Sequence, residues 1–251
     1  MGLGYSFAHC EVSLSQAARP QSETIVAEMF DRIAGRYDLL NHLLSLNIDK
    51  LWRKHLVNAL PVRRDMEILD VATGTCDVMI AIENQRGSTV RKMTGVDISA
   101  GMLEHGRRKL AAAGLAAKST LQVMSASRLE FPAHTFDGIT IAFGLRNVVE
   151  KEKALSEFRR CLKPAGVVGV LEFFQPDNTI MAKGFMFYFN RILPAIGSAL
   201  SDRVAYTYLP RSVEGFYSAP ELKKKMAETG FSDIREQRFL FGACRLITAK
   251  A

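Results

Sequence analysis

At 251 residues, with 48% hydrophobic and 24% charged content, the chain suits one sizeable soluble globular domain with an appended cap. Four cysteines without C-x-x-C spacing argue against a zinc site or a disulfide framework and suit a reducing cytosol. No run of ~18 apolar residues predicts a membrane span. The net charge of +7 permits attraction to nucleic acid or to an anionic membrane surface, but a generally basic surface explains it more simply.

Residues 1–21 lack an apolar signal core and hold a single arginine, so they read as a mobile tail rather than a secretory or mitochondrial leader. Ser22 is placed to cap an amphipathic helix running to about Arg36, with Ile25, Val26, Met29, Phe30 and Ile33 at helical spacing. Residues 36–56 predict two short helices broken near Asn47 and carry the single tryptophan, Trp52. Pro61 closes this region, and a helical layer spanning 22–61 would lie over the mouth of a sheet.

The stretch E-I-L-D-V-A-T-G-T-C-D, Glu67 to Asp77, organises the rest. Ile68, Leu69 and Val71 predict a buried parallel strand. Only small residues follow, Ala72 to Cys76, before an apolar helical pattern restarts at Val78. A strand ending in such a turn and opening a helix lets a ligand approach the backbone closely, and the helix start can bind an anionic group. Asp97 ends a second apolar run, Met93 to Ile98, where an acid can hold the ribose hydroxyls of a nucleoside cofactor. A tight turn with a surface Asp explains this pair equally well, because only one glycine stands where a dinucleotide fingerprint has three.

Ser99 is placed to cap a helix from Ala100 to Ala113, stopped by Gly114. Thr120–Met124 and Gly138–Phe143 read as strands three and four, and Glu150–Leu162 as a helix closed by K-P-A-G. Val167–Phe173 reads as strand five. Residues 176–220 break the alternation and read as an insertion, followed by a helix from Glu221 to Thr229. Ile234–Phe241 and Cys244–Ala249 are joined by only Gly242 and Ala243, too short for a parallel crossover. The predicted fold is α/β: an open, doubly wound, Rossmann-like sheet of seven strands closed by an antiparallel hairpin.

The order of D-V-A-T-G-T-C-D, G-V-D-I-S, S-A-S-R-L-E-F-P and the terminal hairpin resembles class I S-adenosylmethionine-dependent methyltransferases. R-Y-D-L-L-N-H-L-L-S (36–45), F-D-G-I-T-I-A-F-G-L-R-N-V (136–148), K-E-K-A-L (151–155), L-K-P-A-G (162–166), L-E-F (171–173) and Y-L-P (208–210) are similar to the ubiquinone/menaquinone biosynthesis C-methyltransferases, the UbiE/MenG family. The similarity runs from about residue 24 to the C-terminus. It implies methyl transfer from S-adenosylmethionine to a ring carbon of a polyprenylated quinol. It also implies a cofactor site lined by Gly74, Thr75, Asp97, Ser125, Ala126 and Ala142. Within that site Asp97 would hold the ribose, Ser125 and Ala126 would face the adenine, and Tyr37 would add a contact from the N-terminal layer. Thr73 and Cys76 stand where the family commonly has Gly, and Ala142 where many members have Ser.

Such a reaction needs an electron-rich ring, so a phenolate-stabilising cation or a base is useful. Arg146 and Asn147, at the end of strand four, are the candidates for stabilising the phenolate and orienting a ring oxygen; alternatively Arg146 pairs with a carboxylate such as Glu172 and only holds the loop. His42 and His55 sit in leucine-rich helices and read as packing or surface residues, and Asp49 and Lys50 as solvated. Residues 179–203 carry Phe185–Phe189 between Lys183, Arg191 and Arg203. They read as a capping helix, as a prenyl-tail channel with peripheral contact to anionic headgroups at the inner face of a membrane, or as both.

Two other enzyme classes fit less well. A base N-methyltransferase would carry [DNS]-P-P-[YF] where F-G-L-R-N stands, and no RNA-binding module is apparent, so no nucleic-acid partner is expected. A nicotinamide reductase would show a fuller glycine fingerprint. A non-catalytic protein with a degenerate methyltransferase fold stays open because of Cys76 and Ala142. No metal is expected, and a homodimer is compatible with the sequence, which does not fix oligomeric state.

Overall fold

In the computed structural model, β1 (Met66–Val71) is an inner strand, third of the seven in the sheet. Its side chains alternate: Met66 and Ile68 join a core with Trp52, Leu56, Met79 and Ile82, whereas Leu69 and Val71 join the opposite core with Leu155, Phe158, Leu222 and Met226. A strand buried on both faces is expected to be mostly apolar, and Met66, Ile68, Leu69 and Val71 are, with Glu67 half-buried and Asp70 the one buried charged residue. The structure describes residues 22–37, 45, 47–175 and 211–251. The sequence-based readings of the 1–21 tail, His42 and 179–203 lie outside these residues.

Parallel strands β2 (Val90–Asp97) and β4 (Phe136–Ala142) flank β1, with β3 (Ser119–Val123) outside β2 and β5 (Leu162–Phe173) outside β4. β7 (Cys244–Lys250) runs antiparallel between β5 and β6 (Ser232–Phe239), giving the order β3-β2-β1-β4-β5-β7-β6. The predicted seven-stranded sheet and its closing hairpin are therefore present. β5 begins at Leu162, directly after its helix. Leu162 pairs with Phe136 and the ladder resumes at Gly138 with Val167, so K-P-A-G forms an irregularity within the strand rather than a loop before it.

Helix α1 (Glu23–Ile33) is capped by Ser22, whose hydroxyl accepts the Ile25 N–H. It packs on α4 (Ala100–Ala112), itself capped by Ser99. Helix α2 (Ile48–Ala59) instead packs against α3 (Asp77–Arg86) and β5. Of the expected N-terminal layer, then, α1 lies at the sheet's mouth and α2 on its face. α5 (Lys151–Cys161) and α6 (Ala219–Glu228), which has a Ser218–Glu221 capping box, contribute to the other core. The strand order reverses between β1 and β4. At that switch point the loops after both strands open, and open α/β sheets bind ligands there.

Candidate active site

The loop after β1 alternates into left-handed backbone: Ala72 has φ 51°, Gly74 φ 55° and Cys76 φ 68°. For the two non-glycine residues this conformation costs roughly 1–2 kcal/mol each. Asp70 holds the turn. Its buried carboxylate accepts the hydroxyls of Thr73 (2.6 Å) and Thr140 (2.7 Å), the latter directly across the β1–β4 ladder. Burial raises its pKa to about 6. Thr73 and Cys76, expected at positions that are commonly glycine, differ in consequence. Thr73 has no left-handed φ and bonds Asp70, whereas Cys76 carries the strain. The Cys76 side chain fits only because Gly106 faces it: a Cβ there would lie 2.5 Å from Sγ. Burial pushes the Cys76 thiol up to about 12, so it is no nucleophile at neutral pH.

Asp97, at the tip of β2, joins this loop to the next helix. Its carboxylate accepts the Gly74 N–H (2.9 Å) and the Ser99 N–H (2.9 Å). Burial, the largest influence, raises its pKa. Beneath the loop, Asp77 at the start of α3 pairs with Lys109 (2.5 Å) and Arg53 (3.2 Å), and Arg53 also pairs with Asp49. Asp49 is 3% exposed, which corrects the expectation of a solvated residue: its partner Arg53, one turn on, is buried with it. His55 lies at 3.2 Å from Gln237 and against Phe239, a packing role as expected.

Gly144 lets the two loops meet, because a Cβ on it would lie 2.5 Å from that of Ala72. Above them is a cleft of about 620 Å3, counted to its open mouth. Ala72, Gly74 and Asp97 form one wall, Ala142, Phe143 and Asn147 another, and Glu23, Val26 and Phe30 of α1 a third. A nucleoside cofactor fits this site. The space over Gly74 is open, the nearest atom to a Cβ there being Tyr37 Cε1 at 3.9 Å, and Asp97 offers its carboxylate at the cleft.

The structure thus brings together Tyr37, Gly74, Asp97, Ala126, Ala142 and Asn147. Thr75 is outside the lining, with its hydroxyl near Lys109 (3.3 Å) under the loop. Ser125 lies beside the cleft and donates its hydroxyl to Glu23 (2.6 Å). Of the two readings open for Arg146, the structure has the pairing. Its guanidinium bonds Glu172 (2.5 Å), the Phe143 carbonyl (2.6 Å) and Ser212 (3.2 Å), and it does not line the cleft. Glu172 is fully buried and also accepts the Phe173 N–H (2.8 Å), so Arg146 anchors the β4 loop that presents Asn147. Sequence reasoning missed Glu23, Phe30, Met102, Met124 and Phe143. Glu23 reads as an ordinary first-turn acid, and the others read as core.

A mostly parallel sheet with its switch point at β1/β4, a one-glycine first loop and an acid at the tip of β2 fit the Rossmann-like class of S-adenosylmethionine-dependent methyltransferases. A solved "SAM dependent methyltransferase from Aquifex aeolicus" has this fold, with TM-score 0.61 and 17% identity over 85% of this chain and 97% of that one. The chain belongs to the ubiE/COQ5 methyltransferase family, whose model matches residues 18–250. It is 42% identical over 225 residues to "Ubiquinone/menaquinone biosynthesis C-methyltransferase UbiE" of Geobacter sulfurreducens, covering 90% of this chain and 88% of that protein. It is 40% identical over 225 residues to "Demethylmenaquinone methyltransferase" of Bacteroides fragilis, covering 89% and 91%.

Proposed function

We propose that this protein methylates a ring carbon of a polyprenylated quinol in menaquinone biosynthesis, ubiquinone biosynthesis or both. The observation that carries this reading is the cleft over Gly74, with Asp97 fixed at its wall, in a chain about 40% identical to quinone-biosynthesis methyltransferases over nearly its whole length.

S-adenosylmethionine, when bound, supplies an electrophilic methyl group on a sulfonium. Asp97 would hold the ribose, the open backbone over Gly74 would admit the cofactor closely, and Ala126, Tyr37 and Ala142 would contact it from the other walls. Fixing donor and acceptor in line can account for ~7–11 kcal/mol of barrier, which assigns most of the work to shape and position. Asn147, on the β4 loop at the cleft, orients a ring oxygen of the acceptor. Arg146 is a positioning residue: its hold on Glu172 and the Phe143 carbonyl fixes the loop from which Asn147 projects. Phe143 lines the acceptor side and stacks near Phe173, at 4.8 Å between ring centroids, which gives an apolar wall suited to an aromatic ring.

For the prenyl tail we propose the Phe185–Phe189 segment, with Lys183, Arg191 and Arg203 touching anionic headgroups of the inner membrane face. Support comes from the sequence pattern alone, and no helix among the described residues is long and apolar enough to cross a membrane. The test is turnover with a methyl-labelled donor and demethylmenaquinol analogues of different tail length, read by mass spectrometry. Label on the ring carbon is expected, with long tails favoured and that preference lost when the phenylalanine cluster is charged. Absence of label on any quinol, from folded protein that binds the donor, would exclude the proposed substrate.

A further inference from the structure

Two carboxylates line the cleft from different elements. Asp97 is fixed by the Gly74 and Ser99 amides. Glu23, on the first turn of α1, has no such amide partners. Its Oε1 instead accepts the Ser125 hydroxyl at 2.6 Å, and Ser125 is steadied by the Ser127 hydroxyl at 2.9 Å. Met124 and Ala126, which flank Ser125, line the same cleft as Glu23, and Ser127 in turn reaches the Glu150 carboxylate at 3.4 Å.

With the sugar at Asp97 and the reacting end toward Asn147, the flat base would lie against Met124 and Ala126. Adenine carries at its rim an exocyclic amine with two donor hydrogens. A base in an apolar slot needs an acceptor for that amine, because a buried donor left without one costs about 1–3 kcal/mol. Ser125 cannot supply a charged acceptor, and its proton is directed at Glu23. Ala126 offers no side-chain acceptor.

We propose that Glu23, steered by Ser125, accepts the hydrogen bond from the adenine amine and thereby selects a 6-amino over a 6-oxo purine nucleoside. The role rests on the cofactor reading above. It gives α1 a chemical function besides covering the cleft: the first turn of the N-terminal helix reads the base, while the tip of β2 holds the sugar.

The test is calorimetric titration of the full chain with S-adenosylhomocysteine and with S-inosylhomocysteine, in which a carbonyl replaces the amine. The carbonyl faces the Glu23 carboxylate acceptor to acceptor, so the wild-type protein should favour the adenosyl compound by about tenfold or more. Glu23→Gln, whose amide can donate to a carbonyl, should shrink that ratio about tenfold. Ser125→Ala should shrink it less. Asp97→Ala should weaken both ligands in parallel and leave the ratio intact. An unchanged ratio in folded Glu23→Gln, with S-adenosylhomocysteine still bound, overturns the proposal alone. Wild-type protein that is folded but binds neither compound overturns the cofactor reading and this proposal together.

Discussion

The two sides of the cleft are built on different principles. On the side proposed for the cofactor the geometry is set by backbone: a turn in left-handed conformation, two amides collected by Asp97, and a glycine that keeps the space over it open. On the side proposed for the acceptor it is set by side chains: a buried Arg146–Glu172 pair, the Phe143–Phe173 wall and one polar group, Asn147, at the surface of the cleft. The first can be made from a dozen contiguous residues plus one acid. The second draws on β4, β5 and Ser212, far apart in the chain. The backbone-made side accommodates Thr73 through Asp70 and Cys76 through Gly106, whereas a wall held by a buried ion pair should fail when either partner is removed.

The largest effect should come from breaking that pair. Arg146→Ala leaves Glu172, which is 0% exposed, without its cation and should destabilise the fold by about 3–5 kcal/mol in urea denaturation. Adding Glu172→Gln should restore most of the stability while turnover stays low, because the loop under Asn147 is no longer anchored. Full recovery of kcat in the double variant would contradict the positioning role.

On the opposite side, Asp70 should show itself through pH. Its folded pKa of about 6 lies above the ordinary 3.8, so between these values the folded chain keeps a proton the unfolded chain has lost. The stability it contributes is full below about pH 4, falls as pH rises toward 6, and is flat beyond. Against Asp70→Asn, which cannot titrate, the wild-type protein should lose roughly 3 kcal/mol across that window. A constant difference from pH 4 to 7 would show that burial does not hold the proton.

The smallest effect belongs to Cys76. Cys76→Gly relieves the left-handed backbone but empties the space beside Gly106, and the two should nearly cancel, within ~1 kcal/mol by thermal denaturation. Cys76→Val keeps the volume, adds a branch at φ 68° and should cost ~2 kcal/mol or more. Equal melting temperatures for Gly and Val variants would mean the backbone there is unstrained.

This contrast also decides what could be read from the chain. β1, its small-residue turn and Asp97 were legible because apolar run, breaker and acid are local and in order. The Arg146–Glu172 pairing was visible as an alternative, since both lie at strand ends on neighbouring strands. Asp49 was not, because what buries it is Arg53 reaching to Asp77, on another helix. The start of β5 was hidden by K-P-A-G, which has turn chemistry, with Ala165 at φ 59°, but lies inside the strand where Gly166 accepts the Ala251 N–H (2.9 Å). Glu23 was hidden too: a helix-start acid carries no sign of the serine, 102 positions on, that turns it into the cleft.

Binding of S-adenosylmethionine to the wild-type protein and to Asp97→Ala, each first shown to be folded by circular dichroism and followed by calorimetry, tests the cofactor site directly. The account predicts one cofactor per chain, with affinity falling about a hundredfold when the sugar's carboxylate is removed and the Gly74 and Ser99 amides lose their acceptor. A folded wild-type chain that takes up no cofactor, or an Asp97→Ala variant that binds it as tightly, would contradict it.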